Sequence, residues 1–299
     1  MGILQTHIEK PRLTVVVPTH NISKNYSKLF AWVVDAIRQN IAVVIAHDKS
    51  NDNTGQLLSE FLKNQDNSLI TLIEVDVQSP GLAKNSGLEI ATTEWVMFAD
   101  ADDFVFVDKV LQLLKIAEFN QSEVGIGGYK AINVNSGQNS VFTPTSTDLA
   151  THLVATMGCW RFLFKKKAIG DIRFASYRMA EDFLFVYEML RKTDKISISN
   201  SLVYEYYFGG ESNLTSNPRN MPDMLKVIQQ MKLLSPTNVL SRDFRKLATI
   251  KLILSSLKNV GIFKSPWSAC QMVFRILLSP LLSIRLISTI LRKKWTNEE

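Results

Sequence analysis

Short apolar runs and amphipathic stretches alternate along the first third of the chain. Leu13-Thr14-Val15-Val16-Val17 is a β-branched run stopped by Pro18, and residues 41–46 form a second such run, ended by His47-Asp48-Lys49-Ser50-Asn51-Asp52. Between them, Leu29, Phe30, Val33, Val34 and Ile37 fall at helical spacing, which predicts a helix over 27–39. The alternation continues with helices predicted at 54–64 and 80–91 and strands at 68–75 and 94–99. Strands this apolar are buried on both faces, so the order predicts an α/β fold with a mostly parallel sheet covered by helices. In such sheets ligands bind beyond the carboxyl ends of the strands, where the polar clusters after Val17, Ala46 and Ala99 gather.

The second half is less regular. A helix is predicted over 107–119, irregular strands over 124–142, a helix over 180–190 and a strand over 196–208. Beyond Gly209-Gly210 the character turns helical, with candidates at 221–234, 242–257 and 266–295. Residues 1–210 are therefore read as one α/β domain and 211–299 as a helical extension. With 46% hydrophobic residues in 299, the chain can bury a sizeable core and is not a disordered protein.

Charge sharpens the division. The net charge is +6, but residues 211–299 carry fourteen Lys and Arg against five Asp and Glu, leaving the first part slightly acidic. Such asymmetry points the tail toward an anionic surface. Two cysteines, Cys159 and Cys270, cannot build a disulfide framework, and no Cys/His cluster has zinc spacing. Residues 1–12 lack the apolar core of a secretory signal. The expected location is the cytoplasm, peripherally at the inner face of the cell membrane.

The segment with most chemical content is Phe98-Ala99-Asp100-Ala101-Asp102-Asp103, three carboxylates at the end of an apolar run. Acids so close repel one another unless something positive sits among them. A divalent cation, Mg²⁺ or Mn²⁺, is the simplest answer, since hard ions prefer carboxylate oxygens and share them with substrate phosphates.

In its context this segment resembles part of a known family. Val15-Val16-Val17-Pro18-Thr19-His20-Asn21 is similar to the opening strand and turn of family 2 glycosyltransferases, which carry the GT-A nucleotide-sugar fold. His47 to Thr54 resembles that family's Asp-Asp-Gly-Ser-Thr-Asp-Asn-Thr segment, Pro80 to Gly87 its Gly-x-Ala-Arg-Asn-x-Gly helix start, and Phe98 to Asp103 its Phe-x-Asp-x-Asp-Asp. Further on, Cys159 to Phe164, Ile172-Arg173-Phe174 and Glu181-Asp182 look like the acceptor-side half.

The resemblance implies a GT-A-like nucleotide-binding domain with a mostly parallel central sheet, acting as an inverting, metal-dependent glycosyltransferase. It would move sugar from a nucleotide diphosphate, a UDP-sugar by preference, to a glycan or lipid-linked acceptor in cell-surface polysaccharide assembly. Donor contacts are expected from Pro18, Thr19, Asn21, Asp48, Lys84, Asn85, Asp100 and Asp103. Asp48 is placed to accept from a uracil N–H, or else to cap the next helix. Lys84 is expected near phosphate at a helix N-terminus, or as a solvated helix residue; the family more often has Arg there. Asp100 and Asp102 are the metal candidates, Asp182 the base that takes the acceptor hydroxyl proton, and Glu181 its neighbour. Trp160, Tyr204, Tyr206, Tyr207 and Phe208 form either an acceptor platform or edge packing.

In the tail, Gln271, Arg275, Ser279 and Ser283 share one helical side with Arg285, Arg292 and Lys293, opposite Val273, Ile276, Leu277, Ile284, Ile287 and Leu291. Arg275 and Arg285 leave it short of the roughly 20 apolar residues that span a bilayer. A basic amphipathic helix suits an anionic membrane surface or packing on the protein, including a second copy in a homo-oligomer. Nucleic acid is not expected, because no reader motif accompanies the charge. Two rivals stand beside this reading. A sugar nucleotidyltransferase would want a glycine-rich loop after the first strand, and Pro18 to Ser23 has no glycine. A degenerate domain that recruits partners or membrane would not need Asp100, Asp102 and Asp182.

Overall fold

The structure is a computed structural model that describes residues 9–65, 67–156, 158–210 and 221–260. Its first part runs β1 (Leu13–Thr19), α1 (Tyr26–Arg38), β2 (Ala42–Asp48), α2 (Thr54–Lys63), β3 (Ile70–Val75), α3 (Pro80–Ile90) and β4 (Trp95–Phe98). Then follow β5 (Phe104–Val105), α4 (Val107–Phe119), β6 (Val124–Asn133), β7 (Asn139–Phe142), α5 (Leu149–Ala155), β8 (Phe162–Lys165) and α6 (Lys166–Ile169). The last described elements are α7 (Glu181–Lys192), β9 (Ile196–Phe208), α8 (Met221–Leu233) and α9 (Val239–Val260).

One sheet holds all the strands in the order β3-β2-β1-β4-β8-β6-β9-β5, with β7 alongside β6. β3, β2, β1 and β4 pair in parallel, whereas β8 joins β4 and β6 antiparallel. β1 shows why the parallel half is buried on both faces. Val16 joins Val44, Val96 and Phe98 in one core, while Leu13, Val15 and Val17 join Val43, Ile45 and Met97 in the other. Successive side chains of a strand point to opposite faces, so a β-branched run feeds two cores at once. α1, α2 and α4 cover one face; α3, α7, α8 and α9 cover the other.

The two C-terminal helices are integrated in that second core. Met224, Val227, Ile228 and Met231 of α8 and Phe244, Leu247 and Ala248 of α9 are buried with Phe183 and Tyr187 of α7. The Tyr187 hydroxyl donates to the Leu234 carbonyl at 2.7 Å, and Asn238 Nδ2 donates to the Leu190 carbonyl at 2.7 Å. Lys251 of α9 donates to the Val154 and Ala155 carbonyls at 2.8 Å each, at the C-terminus of α5. α8 and the helix expected at 242–257 are both found; the tail helix expected at 266–295 lies outside the described residues.

Short elements escaped the sequence pattern. β8 and α6 lie in a stretch for which no element was predicted, and β5 has only two residues. The irregular 124–142 region is a hairpin of β6 and β7. Gly127 and Gly128 serve packing, since a Cβ at Gly127 would lie 2.6 Å from Val203 Cγ2 of β9 and one at Gly128 2.9 Å from the Phe142 carbonyl, whereas Gly137 at φ 72° serves the turn. Among the described residues no helix is long and apolar enough to cross a membrane.

Candidate active site

The carboxyl ends of β1, β2, β3 and β4 open on one rim, and the loops that follow them are tied to one another. Asn21, left-handed at φ 53°, accepts the Asn51 N–H on Oδ1 at 2.8 Å and donates its own N–H to Ser50 Oγ at 3.0 Å. Asp52 accepts from the N–H groups of Ser23 and Thr54 at 3.1 Å each. Burial works against its charge, but the hydrogen bonds from Thr54 and Ser23 win and hold the carboxyl at about 2. Thr19, the last residue of β1, is buried with Oγ1 3.4 Å from His47 Nδ1. Pro18 precedes it in the strand, so both lie in the floor of the rim.

Asp48 is 4% exposed and accepts from the backbone N–H of Val77 at 2.9 Å and of Ser79 at 3.2 Å. It thereby shapes the loop into α3, where Gln78 is left-handed at φ 50° and Ser79 caps the helix by accepting from Leu82. Pro at the first helical position and a serine cap are what a helix start requires. Asn85 of α3 pairs with the backbone of Phe174, donating to its carbonyl and accepting its N–H at 2.9 Å each. That double bond joins α3 to the segment leading to α7.

α7 begins with the acidic pair. Ala180, immediately before it, is left-handed at φ 65°, a conformation costly for alanine, and it turns the chain so that Glu181 and Asp182 enter the rim. Lys84 of α3, 3% exposed, reaches all the central acids: its Nζ lies 2.8 Å from Asp182 Oδ1, 3.3 Å from Glu181 Oε1 and 4.0 Å from Asp100 Oδ1. Asp182 Oδ2 accepts the Cys159 N–H at 3.0 Å. Burial alone would lower the lysine pKa, but Asp182 and the other acids push it well above its usual value. Burial raises Glu181 to about 7 and Asp100 to about 6, in each case against the pull of Lys84.

On the other side of Asp100 stands an aromatic wall. The Asp100 N–H donates to the Tyr204 hydroxyl at 2.8 Å. Trp160 is stacked on Tyr204 at 4.4 Å and on Tyr206 at 5.4 Å. Trp160 and Tyr204 are buried, so this pair packs in the core, while Tyr206, Tyr207 and Phe208 are half-buried. Asp103 is buried; its Oδ1 accepts the Tyr207 N–H at 2.8 Å, and Oδ2 has no hydrogen-bond partner. Burial, then Asp102 and Asp100, raise its pKa well above the usual carboxylate range. Lys28 of α1 donates to the Asp102 carbonyl at 3.2 Å and sits 3.3 Å above the Tyr207 ring. Burial also raises Asp102, against Lys28.

The structure thus brings Lys84, Asp100, Asp182 and Glu181 together, with Asp102 and Asp103 beside them and Asp48, Asn21, Thr19 and Pro18 along the rim. Asn85 faces the Phe174 backbone. Lys28, the Cys159 N–H and Ala180 had no readable signal: a backbone donor and a dihedral angle are not encoded by residue type. Among the described residues no group of three or more His, Cys, Asp or Glu side chains is arranged to hold a metal ion.

A doubly covered sheet with acids at its strand ends and a second acidic pair on a facing helix defines a GT-A-type glycosyltransferase fold. The chain belongs to glycosyl transferase family 2, whose family model matches residues 14–180, more than half its length. It is 27% identical over 205 residues to a poly(ribitol-phosphate) beta-glucosyltransferase of Bacillus spizizenii, a match covering 66% of this chain and 32% of that protein. The chain therefore spans about a third of that relative. Among solved structures it resembles Staphylococcus aureus TarS residues 1–349 in complex with UDP, with a TM-score of 0.67 and 18% identity over 93% of this chain and 89% of that one. It also resembles a Pyrobaculum calidifontis mannosyltransferase in complex with GDP-Man and Mn²⁺, with a TM-score of 0.56 and 16% identity over 96% and 88% of the two chains.

Proposed function

We propose that this protein transfers a sugar from a nucleotide diphosphate sugar, with UDP as the nucleotide, to a hydroxyl of a glycan or lipid-linked acceptor in bacterial cell-surface polysaccharide assembly. The observation that carries this reading is the meeting of Asp100 from the end of β4 with Asp182 from the start of α7, through Lys84. A donor-side acid and an acceptor-side acid on one rim are what a single displacement requires. The UDP complex of the structural neighbour supports a uridine donor, and the Bacillus relative's name supports a poly(ribitol phosphate)-like polymer as acceptor.

The residues divide the work. The rim of Pro18, Thr19, Asn21 and Asp48 takes the nucleoside, and Asp103 orients the ribose or donor sugar. Asp182 is the general base; its side chain is 10% exposed and a carboxylate has about four acceptor sites, of which Lys84 and the Cys159 N–H use two. The remaining sites can receive the proton as the acceptor oxygen attacks the anomeric carbon from the face opposite the diphosphate, which inverts it. Glu181 stands beside the base as an acceptor contact.

Asp100 and Asp102 fit a divalent cation. They supply hard oxygen donors, and Asp100, 37% exposed, is open to a ligand. Sites that share substrate phosphates need only one or two carboxylates. Bound there, Mg²⁺ or Mn²⁺ supplies Lewis-acid stabilisation of the departing diphosphate. The basic, amphipathic pattern of residues 266–295 supports contact of the tail with an anionic membrane surface.

The test is calorimetric binding of UDP, GDP and dTDP with and without Mn²⁺, on wild type and Asp102→Ala, followed by UDP release from UDP-sugars by wild type and Asp182→Asn. Metal-dependent UDP binding that is lost in Asp102→Ala, and turnover lost in Asp182→Asn, are expected. Absence of binding in every combination, or full turnover by Asp182→Asn, refutes the reading.

A further inference from the structure

Lys84 has two possible clients. As a cation near a helix N-terminus it suits the donor's phosphates, yet its contacts run the other way. Its nearest partners, Asp182 at 2.8 Å and Glu181 at 3.3 Å, belong to the acceptor side, while Asp100 at 4.0 Å is beyond hydrogen-bond reach. The lysine side chain is 3% exposed, and the Phe174 ring centroid lies 5.1 Å from its Nζ.

We propose that Lys84 is a positioning residue for Asp182: it fixes the carboxylate of the base in the orientation that takes the acceptor proton, and does not contact the donor phosphates. This deepens the glycosyltransferase reading above and rests on it. The carboxylate is held at two points from two different elements, Oδ1 by Lys84 of α3 and Oδ2 by the Cys159 N–H ahead of β8. Two such contacts fix both the position and the plane of the group, and leave its other acceptor sites facing the rim. Asn85, next in sequence, anchors the same stretch of α3 to Phe174, so the lysine is presented from a fixed backbone. Remove the ammonium and Asp182 keeps one anchor, beside Glu181, with no other cation from the described residues in contact with the pair. The carboxylate then turns away or takes up a proton, and the base is lost in either case.

The experiment compares Lys84→Met, Lys84→Arg, Asp182→Asn and the Lys84→Met/Asp182→Asn double variant for kcat and donor KM in UDP release, with UDP binding by calorimetry. Lys84→Met is expected to lower kcat by about 100-fold or more, the scale of general-base catalysis, with UDP affinity unchanged within about threefold. Lys84→Arg restores the charge and brings kcat back to within about tenfold of wild type. Because Lys84 acts through Asp182, adding Lys84→Met to Asp182→Asn costs less than about threefold more. The proposal is overturned if Lys84→Met weakens UDP about tenfold while kcat at saturating donor stays near wild type, or if the two effects multiply. Should Lys84→Met fail to fold, Lys84→Arg decides: weakened UDP with wild-type kcat overturns the proposal, and retained UDP affinity with reduced kcat supports it. A wild type that neither binds UDP nor releases it from any UDP-sugar sinks the glycosyltransferase reading itself. Failure of the positioning role alone leaves wild-type turnover intact.

Discussion

Gly81 is where the donor-side helix touches the acceptor-side segment, and one added methyl group tests that contact. A Cβ there would lie 2.5 Å from the Ala175 carbonyl oxygen, 3.1 Å from Phe174 Cβ and 3.2 Å from Glu181 Cγ. Non-bonded heavy atoms settle at about 3.5 Å, so α3 and the 174–181 segment must part by on the order of 1 Å. Overpacking of this kind costs about 1–3 kcal/mol, and the helix propensity of alanine returns at most about 1 kcal/mol. The net expectation for Gly81→Ala is a loss of about 1–2 kcal/mol, or about 2–3 °C in Tm for a chain of this length. Gly55 provides a matched control. It is the second residue of α2 as Gly81 is of α3, but its Cβ would meet only the His47 ring, at 3.1 Å from Nε2 and 3.7 Å from Cδ2. An imidazole can yield by a few tenths of an ångström, so Gly55→Ala should stay within about 0.5 kcal/mol of wild type. The shift at Gly81 also displaces Glu181 and strains the Asn85–Phe174 pair, and a misplacement of about 1 Å costs about 100-fold in rate. Thermal melts and UDP-release kinetics on both variants measure this. If Gly81→Ala melts at or above Gly55→Ala, or keeps full kcat, the packing argument is wrong.

Two further predictions concern protons. Asp100 is raised to about 6 by burial against the pull of Lys84, and a cation binds a carboxylate only after its proton leaves. Mn²⁺-dependent UDP affinity should therefore rise about tenfold per pH unit below 6 and flatten above it; calorimetry between pH 5 and about pH 8 that finds no slope contradicts the assignment. His152 is lowered to about 3, first by burial and then by Arg161, which donates to its ring and to its carbonyl. Its contribution to stability is thus complete above about 6.5 and is lost as pH falls from there toward 3. His152→Ala strips a hydrogen bond from a fully buried guanidinium, at about 1–3 kcal/mol. The gap in melting temperature between wild type and His152→Ala should be widest near pH 8 and close by about pH 5; a constant gap refutes the linkage.

The parallel half of the fold was legible because β1, β2 and β4 are buried on both faces, so their apolar runs are unbroken and bounded by polar clusters. β8 was not read as a strand: its three apolar residues, Phe162-Leu163-Phe164, run directly into the Lys165-Lys166-Lys167 triplet at the entry to α6. At the rim, Asp100 stood out from a local cluster of acids, and Asp182 was singled out through the family resemblance. Lys84 was found too, but its partners were not, because they lie 97 and 98 positions away in the chain. The same is true of Asn85, whose partner Phe174 is 89 positions off. Spacing predicts what shares a helix face; it carries little about which face of which helix a distant loop will meet. Asp48 illustrates the limit from another side, since its carboxylate is engaged by the backbone of the β3–α3 loop, a contact that belongs to no residue type.

Those long-range contacts have an energetic cost that the site itself reveals. Asn40 and Gln121 have positive φ just past the ends of α1 and α4, where a left-handed residue commonly closes a helix. The other three non-glycine residues with positive φ among those described are Asn21, Gln78 and Ala180, in the loops after β1 and β3 and at the entry to α7. All three stand at the rim, and each costs on the order of 1 kcal/mol or more. The acids add to that cost: Asp100, Glu181 and Asp182 share one buried lysine, Asp102 and Asp103 follow Asp100 in the chain, and burial raises the pKa of Asp100, Asp102, Asp103 and Glu181. A fold optimised for stability alone would dispense with both features. Their concentration at one edge of an otherwise well-packed sheet is accounted for if the missing positive charge arrives with the ligand. Under the proposed function, Lys84 then has the narrower task of holding Asp182.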